Sequence, residues 1–451
     1  MDEQLLKRID EEIENCRADL ARDVIRLIGI KSVKGAPLPG APFGEGPRAM
    51  LDAVMDWGLQ EGFYAEDHGV GVIHVAEREG QPDLGIWLHG DVVPEGTGWD
   101  FDPYHAVEYK GCIVGRGATD NKGQLCSIFH LLRIFRRLGI RLNYLPALYV
   151  GSNEESGMQD LRGMPDNEDA KGFIHCCVPP RLSLVPDGSF PVGYGGKGSI
   201  VMRLGSLNPL HGIIVSAGLE GEPGNGKAEI GEETITTFSL PGHLTHPDPN
   251  GNMITQLMDR LLERPDTDEA DKPILSFIRD LSLEIHGDRW GVNVPSKEMT
   301  PITIAAYRLE TKEGRPEVVL NIRYPIDIDA ETVKERIGKA AADHAFTIVG
   351  FWPRSNPYLA DKNTPLVQGL AKIANEITGD GKPPYTMSGG TYAHVLPNAL
   401  VFGMDGCKKP DGFPQNRGGA HGLDEVVSLD RLQRAMRIYA RALLMLNETE
   451  W

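Results

Sequence analysis

Ile86-Trp87-Leu88-His89-Gly90-Asp91 reads as an apolar strand that ends in two groups able to serve a cation. Side chains two apart on a strand share a face, so Asp91 is expected to orient the His89 imidazole from behind. Metal-bound histidines commonly have such a partner. Further on, Gly115-Arg116-Gly117-Ala118-Thr119-Asp120-Asn121-Lys122-Gly123 delivers a carboxylate just before Leu125, Ile128, Phe129 and Leu132, which recur at helical spacing. A carboxylate at a loop-to-helix junction is well placed to join a metal site.

Outward from this stretch, the chain alternates. Helical patterns at the start and at Ala49 to Gly62 surround a Pro/Gly-rich loop, Gly35 to Gly46. Strand patterns follow at Gly71 to Ala76 and Leu84 to Leu88, a helix at Gln124 to Leu138, and a strand at Leu145 to Val150 that stops at Gly151-Ser152-Asn153-Glu154-Glu155-Ser156-Gly157. This rhythm predicts an α/β layer with a mostly parallel sheet and helices on both faces. In such sheets the loops at the strand C-termini build the site, and His89, Asp91, Glu154 and Glu155 all fall there. After the glycine-dense bend Gly193 to Gly198 the texture becomes that of a mixed antiparallel α+β module, with an acidic linker at Asp266 to Lys272 and a helix at Ala330 to Asp343. The expected organisation is a catalytic domain in two parts, 1–196 and 356–451, with a lid domain, 197–355, inserted between them.

Composition bounds the function. At 451 residues the chain is too long for one ordinary core. A net charge of −18 argues against nucleic acid or an anionic membrane as the principal partner. The acidic start, Met1-Asp2-Glu3-Gln4, lacks the basic region and apolar core of a signal peptide, and no apolar run approaches the roughly 20 residues of a membrane span. A cytoplasmic protein with no membrane partner is expected. Six scattered cysteines make no disulfide framework, and Cys176-Cys177, the one close pair, is read as reduced thiols.

Taken together, His89-Gly90-Asp91-Val92-Val93-Pro94, the Gly115 to Gly123 motif, Asn153-Glu154-Glu155-Ser156-Gly157, Pro186-Asp187 and Ala420-His421 resemble the co-catalytic metallopeptidase family of PepV dipeptidase, carnosinase, carboxypeptidase G and acetylornithine deacetylase. Pro42-Phe43-Gly44-Glu45-Gly46, Asn321-Ile322-Arg323-Tyr324-Pro325 and Gly389-Gly390-Thr391-Tyr392-Ala393 bring the resemblance nearest to the PepV-type dipeptidases. Singly, Asp120 would pass for a helix N-cap, Asp187-Gly188 for a turn and Glu154-Glu155 for a solvated pair. Jointly, the unremarkable account needs several unrelated coincidences at strand ends.

The resemblance implies two divalent ions, zinc first, with manganese or cobalt as alternatives. Such a pair, about 3.5 to 4 Å apart, clamps a water and polarises a carbonyl. By the same resemblance Asp120 bridges, His89 and Asp187 complete one ion, Glu155 and His421 the other, Asp91 steadies His89, and Glu154 is the general base. His243 resembles the lid histidine that stabilises the oxyanion. Pro247 and Asn252 fall at the family's spacing when counted from His243, with His246 its rival. Arg323, whose planar fork suits a carboxylate, and Gly390 and Thr391 resemble contacts to the substrate's C-terminal carboxylate. The family's lid asparagine has no clear match; Gly224-Asn225-Gly226-Lys227 occupies that region. The expected activity is hydrolysis of the amide bond of dipeptides or similar small peptides by a monomer or homodimer. The alternatives are an N-acyl or N-carbamoyl amino-acid amidohydrolase and a non-catalytic peptide-binding protein.

Overall fold

The computed structural model describes residues 2–164, 171–218, 224–239, 244, 247–404, 409–449 and 451. It divides into two compact units, Met1–Tyr194 with Ala360–Tyr385 and Thr391–Trp451, and Gly195–Leu359 with Thr386–Gly390. Among the described residues no helix is long and apolar enough to cross a membrane.

The centre of the first unit is a parallel sheet. Pro146–Gly151, Leu84–His89, Leu182–Val185 and Ala399–Val401 lie in that order, each parallel to the next. Val72–Ala76 and Tyr64–Asp67 extend one edge in antiparallel sense, and Gly193 pairs antiparallel with Val401 at the other. The central strands are buried on both faces, which is why they read as short continuous apolar runs.

Alternation along these strands sorts the side chains into two layers. Ile73, Val75, Leu84, Ile86, Leu88, Leu148 and Val150 join one apolar cluster with the six long helices Glu3–Asn15, Arg17–Ile28, Glu45–Gln60, Gly123–Arg137, Pro365–Thr378 and Leu429–Leu446. The other face carries rings. Trp87 stacks on Tyr149 at 4.1 Å and meets the edge of Phe173, on the short helix Phe173–Cys176, at 5.1 Å. Helices therefore cover both faces unequally. His89, two residues from Trp87, lies on the face of the aromatic layer.

The second unit is α+β. Seven antiparallel strands run in the order Glu233–Phe238, Asn225–Ile230, Ile213–Gly218, Thr303–Lys312, Arg315–Tyr324, Gly198–Ser206, Phe346–Ser355. Helices Met253–Leu262, Lys272–Leu283 and Ala330–Ala342 pack on the sheet through one apolar cluster. The expected acidic linker proves to be a buried anchor at its end. Asp271 is fully buried, and its carboxylate accepts from the His211 amide and faces His211 Nδ1 at 2.8 Å, just before a helix that buries Ile274, Leu275, Ile278 and Leu281.

One buried ion pair in the first unit bears directly on the Asp120 turn. Arg116 and Glu425 are 1% and 0% exposed. Glu425 accepts from Arg116 Nη1 at 2.7 Å and from the amides of Gly117, Thr119 and Asp120 at 3.1, 2.8 and 2.9 Å. One acid thus organises the whole turn and neutralises a buried guanidinium. Removing one partner of such a pair strands the other charge, a cost of about 3–5 kcal/mol. Glu425→Ala is expected to lose stability of that order in urea denaturation, and a loss below about 1 kcal/mol would show that the pair does not hold the turn.

Candidate metal centre

Three parallel strands end together, and each hands a donor to the same place. His89 is the last residue of Leu84–His89 and pairs in register with Gly151, the last residue of the neighbouring strand. Glu154 and Glu155 follow in the loop after Gly151, and Asp187 lies two residues beyond Val185. Asp120 comes from the tight turn Ala118–Lys122, and His421 from the loop before the strand Val426–Ser428. His421 has a positive φ of 63°, and Arg116 Nη2 donates to its carbonyl at 3.1 Å.

The donors converge. His89 Nε2 lies 2.9 Å from Asp120 Oδ1, and His421 Nε2 lies 3.1 Å from Asp120 Oδ2 and 3.0 Å from Glu155 Oε2. Two sets, His89 with Asp120 and Asp187, and Asp120 with Glu155 and His421, each bring one ligand atom per residue within 4.8 Å of the others. Asp120 belongs to both and offers a different oxygen to each histidine. His89 Nδ1 sits 2.9 Å from the Asp91 carbonyl oxygen, which leaves Nε2 as the atom facing Asp120.

The structure assigns Asp91 more than the sequence suggests. Its carboxylate is 3.6 Å from His89 Nδ1, beyond hydrogen-bond distance, so the backbone carbonyl of the same residue steadies the ring. The two carboxylate oxygens instead accept from the amides of Glu154 and Glu155, each at 3.1 Å. Asp91 therefore ties the end of one strand to the loop after the next.

Electrostatics follow from so many acids out of water. Burial, then the neighbouring charge of Asp187, drives Glu154 well above the usual carboxylate range. Burial, with Asp120 beside it, pushes Asp187 up to about 7. Asp120 goes the other way: burial opposes its charge, but hydrogen bonds from His421 and His89 outweigh it and hold the group far below the ordinary range. The histidines respond in kind. Against the cost of burial, Asp120 and Glu155 raise His421 to about 11, and Asp120 holds His89 well above its ordinary value.

This donor set fits divalent cations. Two imidazole nitrogens and three carboxylates, one shared, are ligands that zinc, manganese and cobalt accept. Among the described residues, Glu154 joins neither set, and its buried Oε1 has no hydrogen-bond partner.

Among the described residues, neither donor set includes any other predicted residue. His243 and His246 lie outside the described residues. Arg323 is the penultimate residue of the strand Arg315–Tyr324 in the second unit, where its Nε donates to Asn321 Oδ1 at 3.0 Å and burial lowers its pKa. Gly390 is exposed at the margin of the second unit. Thr391 is buried in the first and caps the turn Tyr392–His394. The sequence reading passed over Glu425, Asp160 and Tyr392, all buried. The closeness of Glu425 to His421 was the one local signal.

Residues 86–445 match the model of peptidase family M20/M25/M40. "Putative dipeptidase YtjP" of Bacillus subtilis (strain 168) is 26% identical over 475 residues, covering 96% of this chain and 98% of that protein. Among solved structures, the di-peptidase Dug1p of Saccharomyces cerevisiae superposes with a TM-score of 0.60 at 15% identity over 99% of both chains. Human carnosine dipeptidase 1 does so at 0.58 and 16% identity over 98% of this chain and 100% of its own. With a family match that begins at the strand carrying His89 and runs beyond His421, the chain belongs to peptidase family M20/M25/M40.

Proposed function

We propose that this peptidase hydrolyses the amide bond of dipeptides or similar small peptides at a centre of two divalent cations, with Glu154 as general base. His89, Asp120 and Asp187 would hold one cation, and Asp120, Glu155 and His421 the other. Bound there, the cations would lower the pKa of a water and polarise the scissile carbonyl. Glu154 would accept a proton from the attacking water and return it to the leaving amine. Asp91 fixes the amides on either side of this exchange, so the base cannot drift from its ligating neighbour.

The observation that carries the reading is the buried Oε1 of Glu154, without a hydrogen-bond partner among the described residues, and the two donor sets that share Asp120. The relatives' dipeptidase names support a small peptide as substrate. Arg323 is the candidate for the substrate's C-terminal carboxylate, with Gly390 and Thr391 assisting and His243 as the oxyanion donor. The free thiols at Cys16 and Cys126 suit a reducing, cytoplasmic setting. A screen of dipeptides against N-acyl and N-carbamoyl amino acids, with zinc, manganese or cobalt supplied, tests the substrate class. Turnover confined to the acyl or carbamoyl compounds would refute it.

Glu154→Gln is expected to lower kcat by about 10²- to 10⁴-fold while metal stoichiometry stays at the wild-type value, because it removes the proton acceptor and no ligand. An unchanged kcat would remove Glu154 from the mechanism.

Metal loading should also release protons. Without cations His89 and His421 are both raised, so at pH 7 each carries a proton that it must surrender to ligate. Adding zinc to chelator-treated protein in weak buffer at pH 7 is therefore expected to acidify the solution, and apparent affinity should fall as pH falls. Binding with no proton release would contradict the ligand assignment.

A further inference from the structure

The loop that carries Glu154 is held by two buried acids acting in series. Asp160, fully buried, accepts through Oδ2 from the amides of Ser152 at 2.9 Å and Asn153 at 3.0 Å. Asp91 accepts from the next two amides, those of Glu154 and Glu155. Four consecutive N–H groups are thereby committed to carboxylates, and the loop closes on itself through Met158 N to the Asn153 carbonyl at 2.7 Å. A shift of Asp160 must be passed along the backbone to Glu154.

Asp160 is in turn gripped from a distant part of the chain. The Tyr392 hydroxyl donates to the same Oδ2 at 2.5 Å, with both residues buried. Gly151 permits this approach: a Cβ there would run into the Tyr392 hydroxyl and the Asp160 carboxylate. Tyr392 directly follows Thr391 at the head of one capped turn. The Thr391 hydroxyl accepts from the Ala393 amide at 3.2 Å, and the Thr391 amide donates to His394 Nδ1 at 3.3 Å, a reciprocal cap that makes the turn one rigid piece.

We propose that Tyr392 and Asp160 are positioning residues that couple recognition of the substrate's free carboxylate at Thr391 to placement of the Glu154 carboxylate. The proposal rests on the dipeptidase reading above. A carboxylate bound at Thr391 pins the turn, the turn sets the Tyr392 hydroxyl, and the hydroxyl sets Asp160 and the amides leading to Glu154. Binding energy from a part of the substrate that does not react is thus spent on orienting the base, and it appears in kcat more than in KM.

The test compares a dipeptide with its C-terminal amide on the metal-loaded full chain, wild type against Tyr392→Phe, recording kcat, KM, metal stoichiometry and thermal midpoint. Wild type is expected to turn over the free acid with a clear kcat advantage. In Tyr392→Phe that advantage should shrink by about tenfold or more, with the KM ratio and metal stoichiometry unchanged. Should Tyr392→Phe fold poorly, Gly151→Ala asks the same question by displacing the phenol from Asp160 with a methyl. Equal loss of kcat on both substrates, or no loss on either, would overturn the coupling and leave the dipeptidase reading intact. A wild-type protein inert towards dipeptides and their amides would overturn that reading and the coupling with it.

Discussion

The structure turns on five carboxylates, Asp91, Asp120, Glu154, Glu155 and Asp187, gathered with two imidazoles at the ends of three parallel strands. Taking an ionised carboxylate out of water is costly unless a proton, a cation or hydrogen-bond donors compensate. All three forms of compensation are visible. Glu154, Asp187 and Asp91 rise towards the protonated form, Asp120 stays ionised between two histidines, and backbone amides offset part of the burial of Asp91. A pair of divalent cations would replace the protons with a more concentrated positive charge, which is why the same cluster that is awkward without metal suits it.

Holding such a cluster requires loops that do not yield to its repulsion, and the chain uses one device three times. Glu425, Asp91 and Asp160 are buried acids whose oxygens accept from runs of backbone amides. Burial raises the pKa of all three, Asp91 to about 7, and the amide donors offset only part of that cost while the acid removes the freedom of the loop. Exposed helix pairs such as Lys7 with Glu11 at 4.0 Å have no comparable role, since solvent leaves them worth roughly 0–1 kcal/mol.

Much of this was legible from residue order alone. The central strands are short apolar runs because both faces are covered, and the donors stand out because His, Asp and Glu sit where those runs stop. The supporting acids were not legible, since nothing local distinguishes a buried Asp160 or Glu425 from a solvated one. Burial is decided by partners hundreds of residues away, such as Tyr392 for Asp160 and Arg116 for Glu425. The strand Ala399–Val401 is similarly silent: three residues carry no period, and their place beside Leu182–Val185 follows only from the tertiary pairing. The helix Lys272–Leu283 was missed for a different reason, because the charged run before it resembled a linker although Ile274, Leu275, Ile278 and Leu281 had helical spacing.

The adjacency of Glu154 and Glu155 shows what these supports protect. The two lie side by side in one turn, yet only Glu155 belongs to a donor set. On the proposed reading their roles differ completely, yet chemically they are the same residue, and a slip of one position would exchange ligand and base. Asp91 guards against that slip because Oδ1 accepts from the Glu154 amide and Oδ2 from the Glu155 amide. Both bonds would have to break together for the loop to move by one residue. Asp160 repeats the hold on the two preceding amides, so register is set over four residues rather than at one. The division of labour between the two glutamates is therefore a property of the acids behind them.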